Sequence, residues 1–120
     1  METDTGPNLV ILARTFDLLD WLLPKAERFP RIYRHTLTAR IMNNALDFHE
    51  QLVRAATLEK RSRRTSLLAA DRALAGLRIY LRLIHRWRWL SDGQYAHVTA
   101  MTGELGRLLG GWLRSERNAR

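Results

Sequence analysis

The chain has 120 residues, of which 46% are hydrophobic, 27% are charged and none is cysteine. That composition predicts one globular domain over residues 1–120 rather than a disordered tail, and it excludes disulfide staples, thiolate metal sites and cysteine nucleophiles. Lys plus Arg number 20 against 12 for Asp plus Glu, a net charge of +8, so polyanions come first among the partners to consider.

The opening METDTGPN carries two acids and no basic residue. No secretory leader is expected there, and residues 1–7 are expected to be disordered. The first helix is predicted over residues 8–26. Leu9, Leu12, Phe16, Leu19 and Leu23 step by three and four and so share one face. Arg14 interrupts this stretch, and no uncharged run reaches the roughly 18 residues a membrane span needs. Pro24 removes a backbone donor late in the helix and predicts a kink or an early end. The turn is ERFPR, with Pro30 near the start of the second helix, where a missing amide costs nothing.

The second helix is predicted over residues 30–60, with Leu37, Ile41, Ala45, Phe48 and Leu52 facing inward. RSRRTS then reads as a joint in which Thr65 or Ser66 caps the third helix. That helix is predicted over residues 66–89. Leu67, Ala70, Leu74, Leu77, Leu81 and Ile84 follow a 3-4-3-4-3 step, the seam of a bundle. SDGQ at 91–94 has the form of a capping box and starts the fourth helix. The fourth runs to residue 113, with Tyr95, Val98, Thr102, Leu105, Leu109 and Trp112 inward, and residues 114–120 are expected to be frayed. Gly106 and Gly110, four apart on it, read as small residues for close helix packing or as a helix end. No stretch alternates as a strand does. The prediction is all-α: an antiparallel up-down-up-down four-helix bundle.

The charge is not spread evenly. Residues 54–88 hold ten basic residues and two acids, which is the whole surplus of eight. Of the 20 basic residues, 18 are Arg, the side chain suited to bidentate phosphate contacts and to stacking. On a helical wheel with Arg72 at zero, the third helix's seam lies near about 160°, and Arg64, Arg78, Arg82 and Arg86 lie at about 240–320°. They form one stripe beside the core. Like charges four apart repel unless an anion or a neighbouring acid compensates them. The nucleic-acid candidates are therefore Arg61, Arg63, Arg64, Arg72, Arg78, Arg82 and Arg86. A solvated Arg-rich surface is the plain alternative.

Ile79, Tyr80, Leu83 and Trp87 fall on the far side of the same helix from the seam. Exposed apolar area of this kind marks a subunit interface, so a homo-oligomer is expected; a broad bundle core is the plain alternative. No catalytic or metal constellation is present: His35, His49, His85 and His97 do not pair at ligand spacing, no HExxH or GxSxG occurs, and the glycines of 103–111 follow no strand. No enzyme, metal or cofactor is expected.

The segment FPRIYRHTLTARIMNNALDFHEQLVRA at 29–55 resembles the accessory variability determinants of diversity-generating retroelements. FDLLDWLLPKAERFPR and LRLIHRWRWLSDGQYAHVTAMTGELGRLLGGWL are similar to that family too, so the resemblance spans residues 16–113. Its marks are FPR, then Arg34, Leu37, Arg40, Ile41 and Asn44, and later LGGWL, with Thr38 where relatives often have Gly. Proteins encoded in ribosomal RNA intervening sequences are similar in fold. The resemblance implies a basic bundle assembled as a pentamer in the cytoplasm. It would bind the retroelement's reverse transcriptase and nucleic acid, RNA first and DNA second, and support mutagenic cDNA synthesis without a catalytic centre or a membrane. Arg31, Arg34 and Arg40 lie in the family-like segment and become second-choice contacts to nucleic acid or polymerase. The competing expectation is a structural oligomer or protein–protein adaptor, whose arginines would pair with a partner's acids.

Overall fold

Helix–helix contacts alone define the topology. In the computed structural model, which describes residues 7–118, the helices are α1 (Pro7–Ala26), α2 (Leu37–Thr57), α3 (Lys60–Arg86) and α4 (Asp92–Asn118). Each packs against its neighbour in sequence, and α1 closes the ring against α4, while no diagonal pair packs closely. With connections this short, that is an up-down-up-down four-helix bundle. The rod measures 47 × 26 × 19 Å, close to the length of α3 at about 1.5 Å per residue. Residues 1–6 and 119–120, expected to be disordered, lie outside the described residues.

The seams of α2, α3 and α4 follow the predicted spacing. Ile41, Ala45, Phe48 and Leu52 meet Leu67, Ala70, Leu74, Leu77, Leu81 and Ile84 in the core, and Val98, Thr102, Leu105, Leu109 and Trp112 complete it from α4. Leu37 and Tyr95, at the ends of their stripes, are half-buried. Fully burying Phe48 alone contributes on the order of 2–3 kcal/mol. Thr102 tolerates its core position because its hydroxyl donates to the Val98 carbonyl at 3.1 Å.

The register of α1 is a correction. Of the predicted stripe Leu19 is buried and Leu12 and Leu23 pack against the core, but the core also takes Ile11, Thr15, Leu18, Leu22 and Ala26, whereas Leu9 and Phe16 are 56% and 55% exposed. The sequence PNLVILARTFDLLDWLLPKA has an apolar arc wider than one stripe, so several stripes compete, and packing against α2 and α4 selects among them. Thr15 is accommodated by a 2.7 Å bond from its hydroxyl to the Ile11 carbonyl. The helix ends at Ala26, two residues beyond Pro24.

The joints differ more. Residues 30–36 are not the first turns of a long helix. Pro30 has ψ 128°, outside the helical region, and is followed by a short 3-10 turn at Arg31–Tyr33 and a break at Thr36 (φ −120°, ψ −98°). Buried Phe29, packed on Trp89, holds this connection against the α3–α4 turn. The α2–α3 break falls at Leu58 and Glu59, not at RSRRTS, which forms the opening turns of α3. Thr65 and Ser66 are therefore not caps, and Ser66 is buried. Nothing in RSRRTS obliges a break: it contains neither Gly nor Pro, and Arg is a good helix former. Arg63 secures the true break, because its Nη2 donates to the Leu58 carbonyl at 3.2 Å and its Nη1 meets Glu116 at 3.2 Å. The same contact carries α4 on to Asn118, past residue 113, so residues 114–118 are helical rather than frayed.

The α3–α4 turn is closed at both ends. α3 stops at Arg86, not at Trp89. The Arg88 amide donates to the His85 carbonyl at 3.0 Å, and the Trp89 amide reaches back to Ile84 at 2.9 Å, with Arg88 at φ 67°. That is a Schellman stop with arginine in the left-handed position usually given to glycine. The predicted capping box is formed: the Ser91 amide donates to Gln94 Oε1 at 2.9 Å, and the Gln94 amide donates to Ser91 Oγ at 3.1 Å.

Candidate nucleic-acid interface

The arginines of α3 separate into groups by what they touch. Arg63 stands apart. Its side chain is only 19% exposed, beside a Glu116 side chain 10% exposed, and it ties the start of α3 to the end of α4. A guanidinium so engaged is a structural clamp. The others are open. Arg61, Arg64, Arg72, Arg78, Arg82 and Arg86 are all exposed. Among the described residues no carboxylate comes within 4.0 Å of any of them.

Arg78 and Arg82 converge on a hollow of about 200 Å³ between α3 and α4, shared with Tyr95 and Thr99. On its other side Arg78 borders a groove of about 670 Å³ lined by Ala75, Ile79, Gly103, Gly106 and Arg107. Two glycines, Gly103 and Gly106, stand in its α4 wall. A Cβ on Gly106 would lie 3.6 Å from Arg78 Nη1, and one on Gly103 would lie 3.7 Å from Arg107 Nη1. A methyl group at either glycine would make only ordinary contact with these guanidiniums. Arg107 is the member that sequence reasoning missed, because it belongs to the part of the chain where charges balance. The one available signal was its four-residue offset from Gly103. Asp71 also lines this groove and is its acidic member.

Arg86 sits one turn beyond Arg82, at the end of α3 where the aromatic residues collect. Arg61 and Arg64 occupy the opposite end, roughly 35 Å away along the helix, and Arg72 lies on neither hollow. The seven candidates therefore make one paired centre, Arg78 with Arg82, plus outlying charges. Arg31 and Arg34 stand exposed in the α1–α2 connection, and Arg40 lines a separate cleft with His35, Asn43, Asn44 and Tyr80.

The apolar candidates also divide. Ile79 is 63% exposed and borders the α4 groove, whereas half-buried Tyr80 faces the α2 cleft. Leu83 is half-buried, and Trp87 packs on Tyr33 and Trp89 at the end of the bundle. They do not form one continuous face.

His85 fastens the same region. Its Nε2 lies 2.8 Å from an Asp92 carboxylate oxygen, and its ring stacks on Tyr95 at 4.1 Å and 3°. The hydrogen bond from His85, and after it the charge of Arg88, hold the Asp92 carboxyl below the ordinary 3.8. No group of His, Cys, Asp and Glu among the described residues could hold a metal ion, and none of the described helices is long and apolar enough to cross a membrane. Rigid helices holding uncompensated guanidiniums beside a groove can bind anions in an extended array, chiefly by electrostatics.

The family model described as bAvd-like matches residues 9–116. No curated protein matches the chain.

Proposed function

The chain belongs to the bAvd-like family, the accessory variability determinants, and from that membership we propose that it is a non-catalytic accessory subunit of a diversity-generating retroelement. It binds nucleic acid, RNA first, and presents it to the reverse transcriptase for mutagenic copying in the cytoplasm. It does so as a homo-oligomer, a pentamer, whose copies meet over apolar surface that includes Ile79.

The observation that carries this reading is the pair Arg78 and Arg82: four apart, exposed, facing one hollow, and without a carboxylate within 4.0 Å among the described residues. Such a pair repels itself along the helix, and a phosphate between the two guanidiniums turns that repulsion into attraction. Arg86, Arg107 and the outlying Arg61, Arg64 and Arg72 extend the field. Counterions leave the nucleic acid as the arginines replace them, so affinity falls steeply with salt. No side chain here is arranged to read base edges in a duplex, so the contact is weakly sequence-specific.

The test changes Arg78, Arg82 and Arg86 together to Gln and measures binding to a structured RNA by fluorescence anisotropy across a salt series. The expected result is weaker binding at about 150 mM salt and a salt slope shallower by about two to three, one per lost phosphate contact. An unchanged slope removes these arginines from the mechanism. A wild-type protein that leaves the RNA unbound favours the adaptor reading, which the exposed Ile79 supports.

A further inference from the structure

The α1–α2 and α3–α4 connections lie at the same end of the rod, and four aromatic rings meet there. Phe29 packs on Trp89 at 5.1 Å, Tyr33 on Trp87 at 5.6 Å and on Trp89 at 5.3 Å, and the two tryptophans lie 5.7 Å apart. The rings are tilted to one another rather than stacked in parallel, so they leave faces uncovered. Trp87 is 43% exposed and Tyr33 is 37% exposed. Tryptophan in a bundle core would be covered; here two rings are held by a strained turn at the molecular surface. The left-handed Arg88 is what reverses the chain between Trp87 and Trp89 and lets both rings join one cluster. A non-glycine residue kept in that conformation is a reason to look for function nearby.

The surroundings are cationic. Exposed Arg31 and Arg34 flank Tyr33, and exposed Arg86 precedes Trp87; none of the three has a carboxylate within 4.0 Å among the described residues. A second, independent feature adjoins them. A hollow of about 290 Å³ is lined by Phe29, Met42, Arg31, Arg34, Thr38 and the acidic Glu27. Thr38 is 5% exposed, and its hydroxyl is buried with no hydrogen-bond partner. A buried hydroxyl without a partner is costly unless something completes it. The hollow has apolar walls in Phe29 and Met42, the unpartnered Thr38 hydroxyl, one acid in Glu27, two guanidiniums at its edge, and room for a single flat ring system.

We propose that this end of the bundle is a binding site for single-stranded nucleic acid: unpaired bases stack on Trp87 and Tyr33, one base enters the hollow beside Thr38, and the intervening phosphates lie against Arg31, Arg34 and Arg86. A peptide partner would be served by the apolar rings, but three uncompensated guanidiniums around them match an anion that carries flat rings. A duplex hides its ring faces, so it cannot use the stack. The site is separate from the Arg78–Arg82 hollow, which Arg86 does not line, and does not depend on it for its rings.

The experiment compares a labelled oligouridine of about 12 nucleotides with an RNA duplex of similar length, using the full chain at about 150 mM salt. Trp87→Leu and, separately, Tyr33→Leu are expected to weaken oligouridine binding by about tenfold, to leave duplex binding within about twofold, and to leave the salt slope unchanged. Trp87→Phe restores most of the affinity. Tryptophan fluorescence of the wild type is quenched by the single strand and not by the duplex. Circular dichroism confirms the fold of each variant, and Tyr33→Leu, in an exposed connection, serves if Trp87→Leu is unstable. Wild-type oligouridine affinity in both variants overturns the proposal, as does an equal loss on the duplex. A double Arg78→Gln and Arg82→Gln variant, which leaves Arg86 in place, keeps the two readings apart: it flattens the salt slope on both probes, whereas loss of the rings changes one probe's affinity at constant slope.

Discussion

Arg88 holds φ at 67°, the only residue other than glycine with a positive φ among those described. The left-handed region costs an ordinary residue about 1–2 kcal/mol, and glycine nearly nothing. The position is kept because the stop at the end of α3 needs it: Trp89 must reach back to Ile84, and Asp92 must meet His85 at 2.8 Å. Arg88 gains little in return, since its contact with Asp92 is 3.6 Å long and both side chains are more than three-quarters exposed. Arg88→Gly is therefore expected to stabilise the protein by about 1 kcal/mol, read as a rise of about 4 °C in Tm by calorimetry. None of this was legible in the sequence. RWRWLS contains no glycine to announce a helix stop, and the predicted helix ran through it to residue 89. The capping box two residues later was legible, because Ser91 and Gln94 are a signal written entirely in local spacing.

Among the helices, the close approach lies between α2 and α3 rather than on the glycine-bearing α4. A Cβ added to Gly76 would sit 3.0 Å from Asn44 Nδ2, so the two helices meet through a missing side chain. Gly106 and Gly110, which suggested close packing from sequence, have room: their added Cβ atoms would lie 3.6 Å from Arg78 Nη1 and 3.5 Å from Arg114 Nη1. Helical glycine costs about 0.8–1.0 kcal/mol relative to alanine. Gly110→Ala is thus expected to stabilise by about that amount in urea denaturation. Gly76→Ala is expected to gain less than half as much, or to destabilise, because Asn44 must shift. The seams of α2, α3 and α4 were readable because each carries a single apolar stripe bounded by charge. α1 has an apolar arc wider than one stripe, so its register was decided by its neighbours. The α2–α3 joint was likewise decided at a distance, by Arg63 reaching Glu116, 53 residues away.

For the whole molecule, the open question is what covers the apolar groups left outside. Leu9, Phe16, Ile32 and Ile79 are each more than half exposed. The proposed assembly would cover such surface. The pentamer proposed above has five times the 14.0 kDa of one chain, about 70 kDa. Light scattering after size exclusion is expected to give that mass, and Ile79→Glu to give a species near 14.0 kDa; a wild-type monomer at micromolar concentration removes the oligomer from the proposal.

Amino-acid order by itself determined the four helices, three of their buried faces, the cap of α4 and the concentration of positive charge in one stretch. All of these follow from helical period and side-chain type within a few residues, and so they survive in one dimension. Tertiary structure decided the rest. It chose the face of α1, moved two joints, withdrew Arg63 from the open charges by giving it Glu116, and brought Arg107 and Arg78 to the same groove. It also gathered Phe29, Tyr33, Trp87 and Trp89, drawn from two connections more than fifty residues apart, into one cluster. Those outcomes depend on which surfaces exclude water together and which charges find partners across helices, and both are set only when the bundle closes.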